Sequence, residues 1–475
     1  MTKNCSNPKV TAARDAAQQN RSADESAFWQ VKDVGCTNLR GDILKDYITS
    51  ARKAGMKVGI YLSPADGSEL PPAFFKQLVA AAEAKVAAGQ PLSIEEQATY
   101  DDRANQPAGQ ARSGSGSAIS KRTIPTLVPN DNRAAALAAG ELPKFTVNED
   151  DYNAYYLNLV YELFTQYGPI DEFWLDGANP WSGSGVSENY DFTAWFTLIH
   201  KLSPNTVTFA GPAGVRWIGN EEGAGRNTEW SSLPTTGDPN TAHNEGLFVG
   251  GAQATDLGSR QVLADPSVRY LEWAPAESDV KITPGWFYHD GDKAKTAQQL
   301  VGTYRNTVGK NASMLLNVPP ATDGKFQPDE IASLAAFGKA IKATQKVNLA
   351  RPAAGTPASP ALIRVTDDSL ATSWSMAKGA LEGTLDIPLA ASKTFDQIRL
   401  GEDIRHGQHV EGAVVQAEID GAWKTLGTVT TIGYTRLITL TKPVTTDHLR
   451  VIITQSRAKP YLATVALYKA VAPTS

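Results

Sequence analysis

Residues Asp171–Trp181 read DEFWLDGANPW. A short, continuously apolar run stops at one carboxylate, Asp176, and glycine follows at once. The run is the right length for a buried strand, Ile170–Leu175, and the segment before it, Tyr152–Tyr167, has helical periodicity. A helix feeding a buried strand that ends on an aspartate is half of a βα unit, with a polar group at the strand end where such folds place their chemistry.

The same unit recurs on both sides. Asp42 is suited to cap a helix over Ile43–Lys53, Gly55 to stop it, and KVGIYLSP (57–64) to form a buried strand closed by proline. Downstream, a helix at Phe192–Leu202 precedes a strand at Thr206–Ala210. Val268–Trp273 reads as a further strand, and a helix at Lys293–Val308 precedes a strand at Ser313–Val318. Helices alternating with short apolar strands predict a parallel sheet covered on both faces. Spread over this length they predict a (β/α) TIM-like barrel. Two excursions interrupt it: an Ala-rich helical stretch and loops at 68–148, and a Gly-, Asn- and Trp-rich loop at 211–266. Long excursions of this kind build active-site rims.

Near residue 345 the pattern changes. Residues 346–360 are rich in Ala and Pro, and beyond them come short alternating segments at 383–387, 395–400, 414–419, 437–440 and 449–453. These predict an all-β sandwich. The expected domains are an atypical arm (1–40), a catalytic barrel (41–345) and a β-sandwich (352–475).

Composition bounds the function. The 475 residues carry a net charge of −5, with 41% hydrophobic and 20% charged residues, as in a folded globular chain of more than one domain. No basic run points to nucleic acid, and no apolar stretch is long enough to span a membrane. The first twenty residues lack the apolar centre of a signal peptide. Cys5 and Cys36 are too few for a disulfide framework or a zinc site, and the sequence leaves open whether they pair. The oligomeric state is not readable. The ten tryptophans and fifteen tyrosines supply flat apolar faces suited to sugars, although most must serve the core.

An Asp-Gly pair is often only a turn or a helix cap, and that reading of Asp176 stands beside the catalytic one. Glycoside hydrolysis with retention needs a second carboxyl about 5 Å away. Candidates lie in VRWIGNEEG (215–223) and in WAPAESD (273–279), both acidic segments among tryptophans, although each acid could equally be a solvated loop residue. An apolar wall would raise a carboxyl pKa as an acid role requires. There is no GxSxG elbow and no HExxH. The six histidines, at 200, 243, 289, 406, 409 and 448, are scattered, with 406 and 409 reading as surface positions of the sandwich.

Taken together, KVGIYLSPAD, EFWLDGANPW, VRWIGNEEG, EWAPAESDVKITPGWFYH and VGKNASMLLNVPP resemble the α-L-fucosidases of glycoside hydrolase family 29, in particular the branch acting on branched α-1,3/1,4-linked fucose. The resemblance runs from about Gly41 to the C-terminus, where LGEDIRHGQHVEG and TTIGYTRL resemble the sandwich domain of such enzymes. It implies a retaining mechanism with Asp176 as nucleophile and Glu221, rather than the adjacent Glu222, as acid/base. It implies substrate contacts from Tyr61, from Trp286 as the wall for the fucose ring, and from Arg216, Trp217 and Glu277. The implied partner is a fucosylated oligosaccharide or glycoconjugate, no metal or organic cofactor is implied, and the implied location is secreted or periplasmic. Family members begin with strands carrying His-Trp and His-His-Asp-Gly segments, whose histidines bind the fucose hydroxyls. This chain has neither, so two β/α units are expected to be missing, the barrel to have an open edge, and the chain to be a fragment or the product of a truncated gene.

Two functions follow. The first is an exo-glycosidase that removes terminal α-L-fucose. The second is a catalytically impaired glycan-binding protein that uses the C-terminal sandwich.

Overall fold

The helix before the DEFWLD segment is held by what it buries. Asp150 precedes it, and its carboxylate accepts the Asn153 backbone N–H at 2.8 Å, satisfying a free donor of the first turn. Within the helix, Tyr152, Tyr156, Leu157, Val160 and Tyr161 are buried against Ile60, Phe173, Leu175 and Trp195. Burying each such side chain contributes about 1.5–3 kcal/mol before the entropic cost of ordering it. The tyrosines also place their hydroxyls. Tyr156 donates to the Leu62 carbonyl at 2.7 Å and Tyr152 to the Pro64 carbonyl, so the segment following Tyr61 is tied to the core.

The structure is a computed structural model that describes residues 43–65, 72–92, 96–97, 100, 118–127, 131, 133–177, 179, 189–353 and 357–474. The arm (1–40), both cysteines, Asp42 and Trp181 lie outside these residues. The chain divides into two compact units, one running to Gly214 and including Asn240–His243, the other made of Val215–Pro239 and Asn244–Ser475.

In the first unit the described elements are α1 (Ile43–Lys53), β1 (Gly59–Tyr61), α2 (Pro72–Ala87), β2 (Ser120–Ile124), α3 (Ala134–Ala138), β3 (Phe145–Glu149), α4 (Asp151–Gln166), β4 (Glu172–Trp174), α5 (Phe192–Leu202) and β5 (Val207–Phe209). Strands β1, β4 and β5 form a parallel sheet in that order, and β2 and β3 form a separate antiparallel pair. Tyr61, Trp174 and Phe209 stand opposite one another across the three strands. Their rings stack, 5.2 Å and 3.8 Å between centroids.

The second unit continues with β6 (Arg216–Trp217), β7 (Ser232–Thr235), α6 (Arg260–Leu263), β8 (Tyr270–Trp273), β9 (Ala276–Lys281), α7 (Ala297–Asn306), β10 (Ala312–Asn317), α8 (Pro328–Thr344) and α9 (Pro360–Thr366). Here the parallel sheet runs β10-β9-β6. The expected parallel strand at 268–273 is instead β8, paired antiparallel with β7. The parallel position belongs to β9, AESDVK. That strand carries three charged side chains and gives no apolar run for a sequence reading to find.

The remainder is β11 (Trp374–Ser375), β12 (Gly383–Glu402), β13 (Val410–Ile419), β14 (Ala422–Val429), β15 (Arg436–Ser456) and β16 (Tyr461–Tyr468). They make one six-stranded antiparallel sheet in the order β11-β16-β12-β15-β13-β14. Leu385, Ile387, Phe395, Ile398 and Leu400 of β12 pack in one core with Val415, Ala417, Leu449 and Val451. Segments expected as separate strands at 383–387 and 395–400 are one strand, and so are 437–440 and 449–453. Register shifts between Pro388 and Lys393 and between Phe395 and Gln397 interrupt the alternation without ending the pairing.

Candidate active site

Asp176 stands two residues beyond β4, at the C-terminal end of the first unit's parallel sheet, and is half-buried. Tyr61, at the end of the adjacent β1, donates its hydroxyl to Asp176 Oδ2 at 2.8 Å. Burial of the hydroxyl, and then the charge of Asp176, push the Tyr61 pKa well up, so the phenol keeps its proton and remains a donor. Tyr61 is 58% exposed, with its ring stacked on Trp174.

Gly177 has a reason beyond turning the chain. Its backbone is not left-handed, but a Cβ there would lie 2.5 Å from the imidazole of His243. His243 is thus brought beneath the Asp176 turn. Its Nε2 lies 3.3 Å from the Leu175 carbonyl, and Phe192 and Phe209 flank its ring. Burial lowers its pKa to about 4, which keeps it neutral near neutral pH and fits Nε2–H as the donor to Leu175. The sequence offered no signal for this histidine, because a contact made across so long an excursion leaves no local pattern.

The second unit holds the other proposed site residues. Gly219 and Gly223, both with positive φ, bracket the acidic turn. Asn220 shapes it by accepting the N–H groups of Glu222 and Ala224, at 3.1 and 3.2 Å. Glu221 is half-buried and its Oε2 receives Lys281 Nζ at 3.0 Å, whereas Glu222 is exposed. Arg226 anchors the turn by donating to the carbonyls of Ile218, Ala252 and Ala254 at 2.6–2.7 Å.

Strand β9 presents Glu277, Asp279 and Lys281 at alternate positions, hence on one face. Ser313 Oγ donates to Glu277 at 3.1 Å and Trp217 Nε1 to Asp279 at 2.8 Å. Burial raises the Asp279 carboxyl to about 6. The charges of Glu221 and Glu277 add to the rise, and the Trp217 hydrogen bond opposes it. Trp286 is half-buried, with Lys281 Nζ 4.7 Å from its ring centre. Arg216 is wholly buried. It pairs with Glu229 and donates to the Trp217 carbonyl at 3.0 Å, so its guanidinium is turned into the protein. Sequence reasoning did not single out Lys281, Glu229 or His243, and it named Asp279 only as part of a segment. Among the described residues, no group of three or more His, Cys, Asp or Glu is placed to hold a metal ion.

Each unit thus sets carboxylates beside a short parallel sheet and among aromatic rings, and comparison with known proteins gives the family. The sequence model of the alpha-L-fucosidase family matches residues 20–346, beginning ahead of Gly41, so the chain belongs to the alpha-L-fucosidase family. It is 32% identical over 338 residues to alpha-L-fucosidase 1 of Arabidopsis thaliana, an overlap of 67% of this chain and 62% of the plant protein. The crystal structure of a Bacteroides ovatus protein, assigned provisionally as an alpha-L-fucosidase, superposes with a TM-score of 0.62 at 29% identity, over 92% of this chain and 60% of that one. A Ruminococcus gnavus family 29 fucosidase, solved with fucose, shares the fold with a TM-score of 0.64 at 24% identity, over 97% and 85% of the two chains. The chain thus spans less than two thirds of the length of the plant and B. ovatus relatives.

Proposed function

We propose that the protein is a retaining exo-α-L-fucosidase, built on a (β/α) barrel over residues 41–345 with a β-sandwich over 352–475. The reading is carried by one observation within a chain of this family: Asp176 stands just beyond parallel strand β4 with its carboxylate held by the Tyr61 hydroxyl. A nucleophile must keep one rotamer aimed at the anomeric carbon, and a neutral donor fixes it without cancelling its charge. Asp176 attacks C1 of fucose as the glycosidic C1–O bond breaks, giving a glycosyl ester. Glu221 gives its proton to the departing oxygen, then takes one from the water that hydrolyses the ester, which restores both groups.

Trp286 supplies a flat apolar surface for the sugar and its methyl group, and Tyr61 is a further substrate contact by family resemblance. Trp217 pairs with Glu277 across β6 and β9, and its indole donates to Asp279 on the same face of β9. Arg216, turned inward to Glu229, supports Trp217 from beneath rather than touching sugar. The substrate is a fucosylated oligosaccharide or glycoconjugate, and the α-1,3/1,4 preference comes from the sequence resemblance. The test is release of fucose from an aryl α-L-fucoside and from a branched Lewis-type oligosaccharide. Turnover that Asp176→Asn abolishes while sugar binding persists supports the reading. Equal turnover by that variant, or none by the unaltered chain on either substrate, overturns it.

A further inference from the structure

We propose that Lys281 is a positioning residue for the general acid, a role that rests on the reading of Glu221 given above. Glu221 sits in an irregular turn, its side chain is 40% exposed, and its carboxylate takes a hydrogen bond from Lys281 of another segment. Lys281 closes strand β9, the central strand of a parallel sheet, in register with Asn317 of β10. Its Nζ reaches both Glu221 Oε2, at 3.0 Å, and the face of Trp286, 4.7 Å from the ring centre. One ammonium therefore joins the proton donor to the aromatic wall against which the sugar is read. The Trp286 carbonyl also accepts Asn317 Nδ2 at 2.8 Å, so wall and lysine are both referred to β10.

An ion pair this exposed adds little stability. Its effect is geometric: the acid is held from a rigid strand rather than from its own loop. The β9 alternation supports the assignment. Glu277, Asp279 and Lys281 each meet a different partner, Ser313, Trp217 and Glu221, and only the last contact reaches the acidic turn.

Acid catalysis matters only when the leaving group needs a proton, which separates positioning from general damage. The substrates are phenyl α-L-fucoside, whose leaving group needs one, and dinitrophenyl α-L-fucoside, whose leaving group does not. Lys281→Met should lower kcat/KM on the phenyl substrate by roughly tenfold or more while changing the dinitrophenyl rate little. Lys281→Arg, which keeps the charge and reach, should recover most of the loss. Glu221→Gln should show the same selectivity, more steeply. Equal losses on both substrates in Lys281→Met, or no loss on either, overturn the proposal. If Glu221→Gln lacks the selectivity, or the unaltered chain turns over neither substrate, the assignment of Glu221 fails and the role of Lys281 with it.

Discussion

At the scale of single residues, the Asp176 turn depends on a close approach. Gly177 touches the His243 ring so tightly that even a methyl group would displace a side chain wedged between Phe192 and Phe209. Gly177→Ala should therefore cost about 1–3 kcal/mol in thermal or denaturant unfolding. Combining it with His243→Ala should cost less than the sum of the two single changes, because the second removes the clash created by the first. Strict additivity would mean that the two do not meet. Tyr61→Phe removes a donor to a carboxylate, an interaction worth about 1.5–3 kcal/mol, and should lower kcat/KM roughly tenfold to a hundredfold without changing the fold. Asp176 stood out in the sequence because it closes a short apolar run, whereas Tyr61 was singled out only through the family resemblance of KVGIYLSPAD. His243 was not legible there, since only the folded chain carries it to the strand end.

Among elements, α5 at Phe192–Leu202 and β4 within Ile170–Leu175 follow the sequence periodicity, whereas the antiparallel pair β2–β3 arises in the excursion where the sequence reading found no strand. The reading failed where function or irregularity overrides pattern. Strand β9 is polar because Glu277, Asp279 and Lys281 share one face and meet the polar partners Ser313, Trp217 and Glu221. Strands β12 and β15 look broken because their register shifts. The two tail motifs have a structural meaning. Glu402 of LGEDIRHGQHVEG accepts the backbone N–H groups of His409, Val410 and, from TTIGYTRL, Gly433. Gln408 of the first motif accepts Ser231 N–H at 2.8 Å and donates to the Glu229 carbonyl at 2.9 Å, tying the C-terminal sheet to the segment that follows the acidic turn. His409 is accordingly half-buried, with Nδ1 2.9 Å from the Lys459 carbonyl, while His406 lies exposed over Tyr461. Glu229 itself pairs with the buried Arg216 and with Arg226. Glu229→Gln would leave buried cationic charge uncompensated and should destabilise the protein by about 3–5 kcal/mol. A loss below about 1 kcal/mol in denaturant unfolding would show that this network is not what holds β6 and the acidic turn in place.

Over the whole molecule, buried carboxyls set the pH response. Burial raises Glu149, Glu272 and Glu402 to about 7, and Asp279 to about 6. A carboxyl whose folded pKa lies above its unfolded value binds its proton more tightly when folded. Its contribution is complete below the unfolded pKa and is lost as pH rises through the folded one. His243, lowered to about 4, acts in the opposite sense between that value and about 6.5, offsetting one of the four. The melting temperature should therefore fall from pH 5 to pH 8, and Glu272→Gln should flatten the fall; a flat or rising profile would contradict these assignments. The change from helices alternating with short strands to one antiparallel sheet was visible in the sequence as a change of period. The tie between the C-terminal sheet and the acidic turn was not, because Gln408 and Ser231 are distant in the chain and neither lies in a motif that names the other.

The central claim is that Asp176 becomes covalently bonded to fucose. The most direct measurement is mass spectrometry of the protein after reaction with a 2-fluoro-fucosyl fluoride, which forms the glycosyl ester readily and hydrolyses it slowly. The account predicts one added fluorofucosyl group, on the peptide containing Asp176, and none in Asp176→Asn. A label on another carboxylate, or a labelled Asp176→Asn protein, would contradict it.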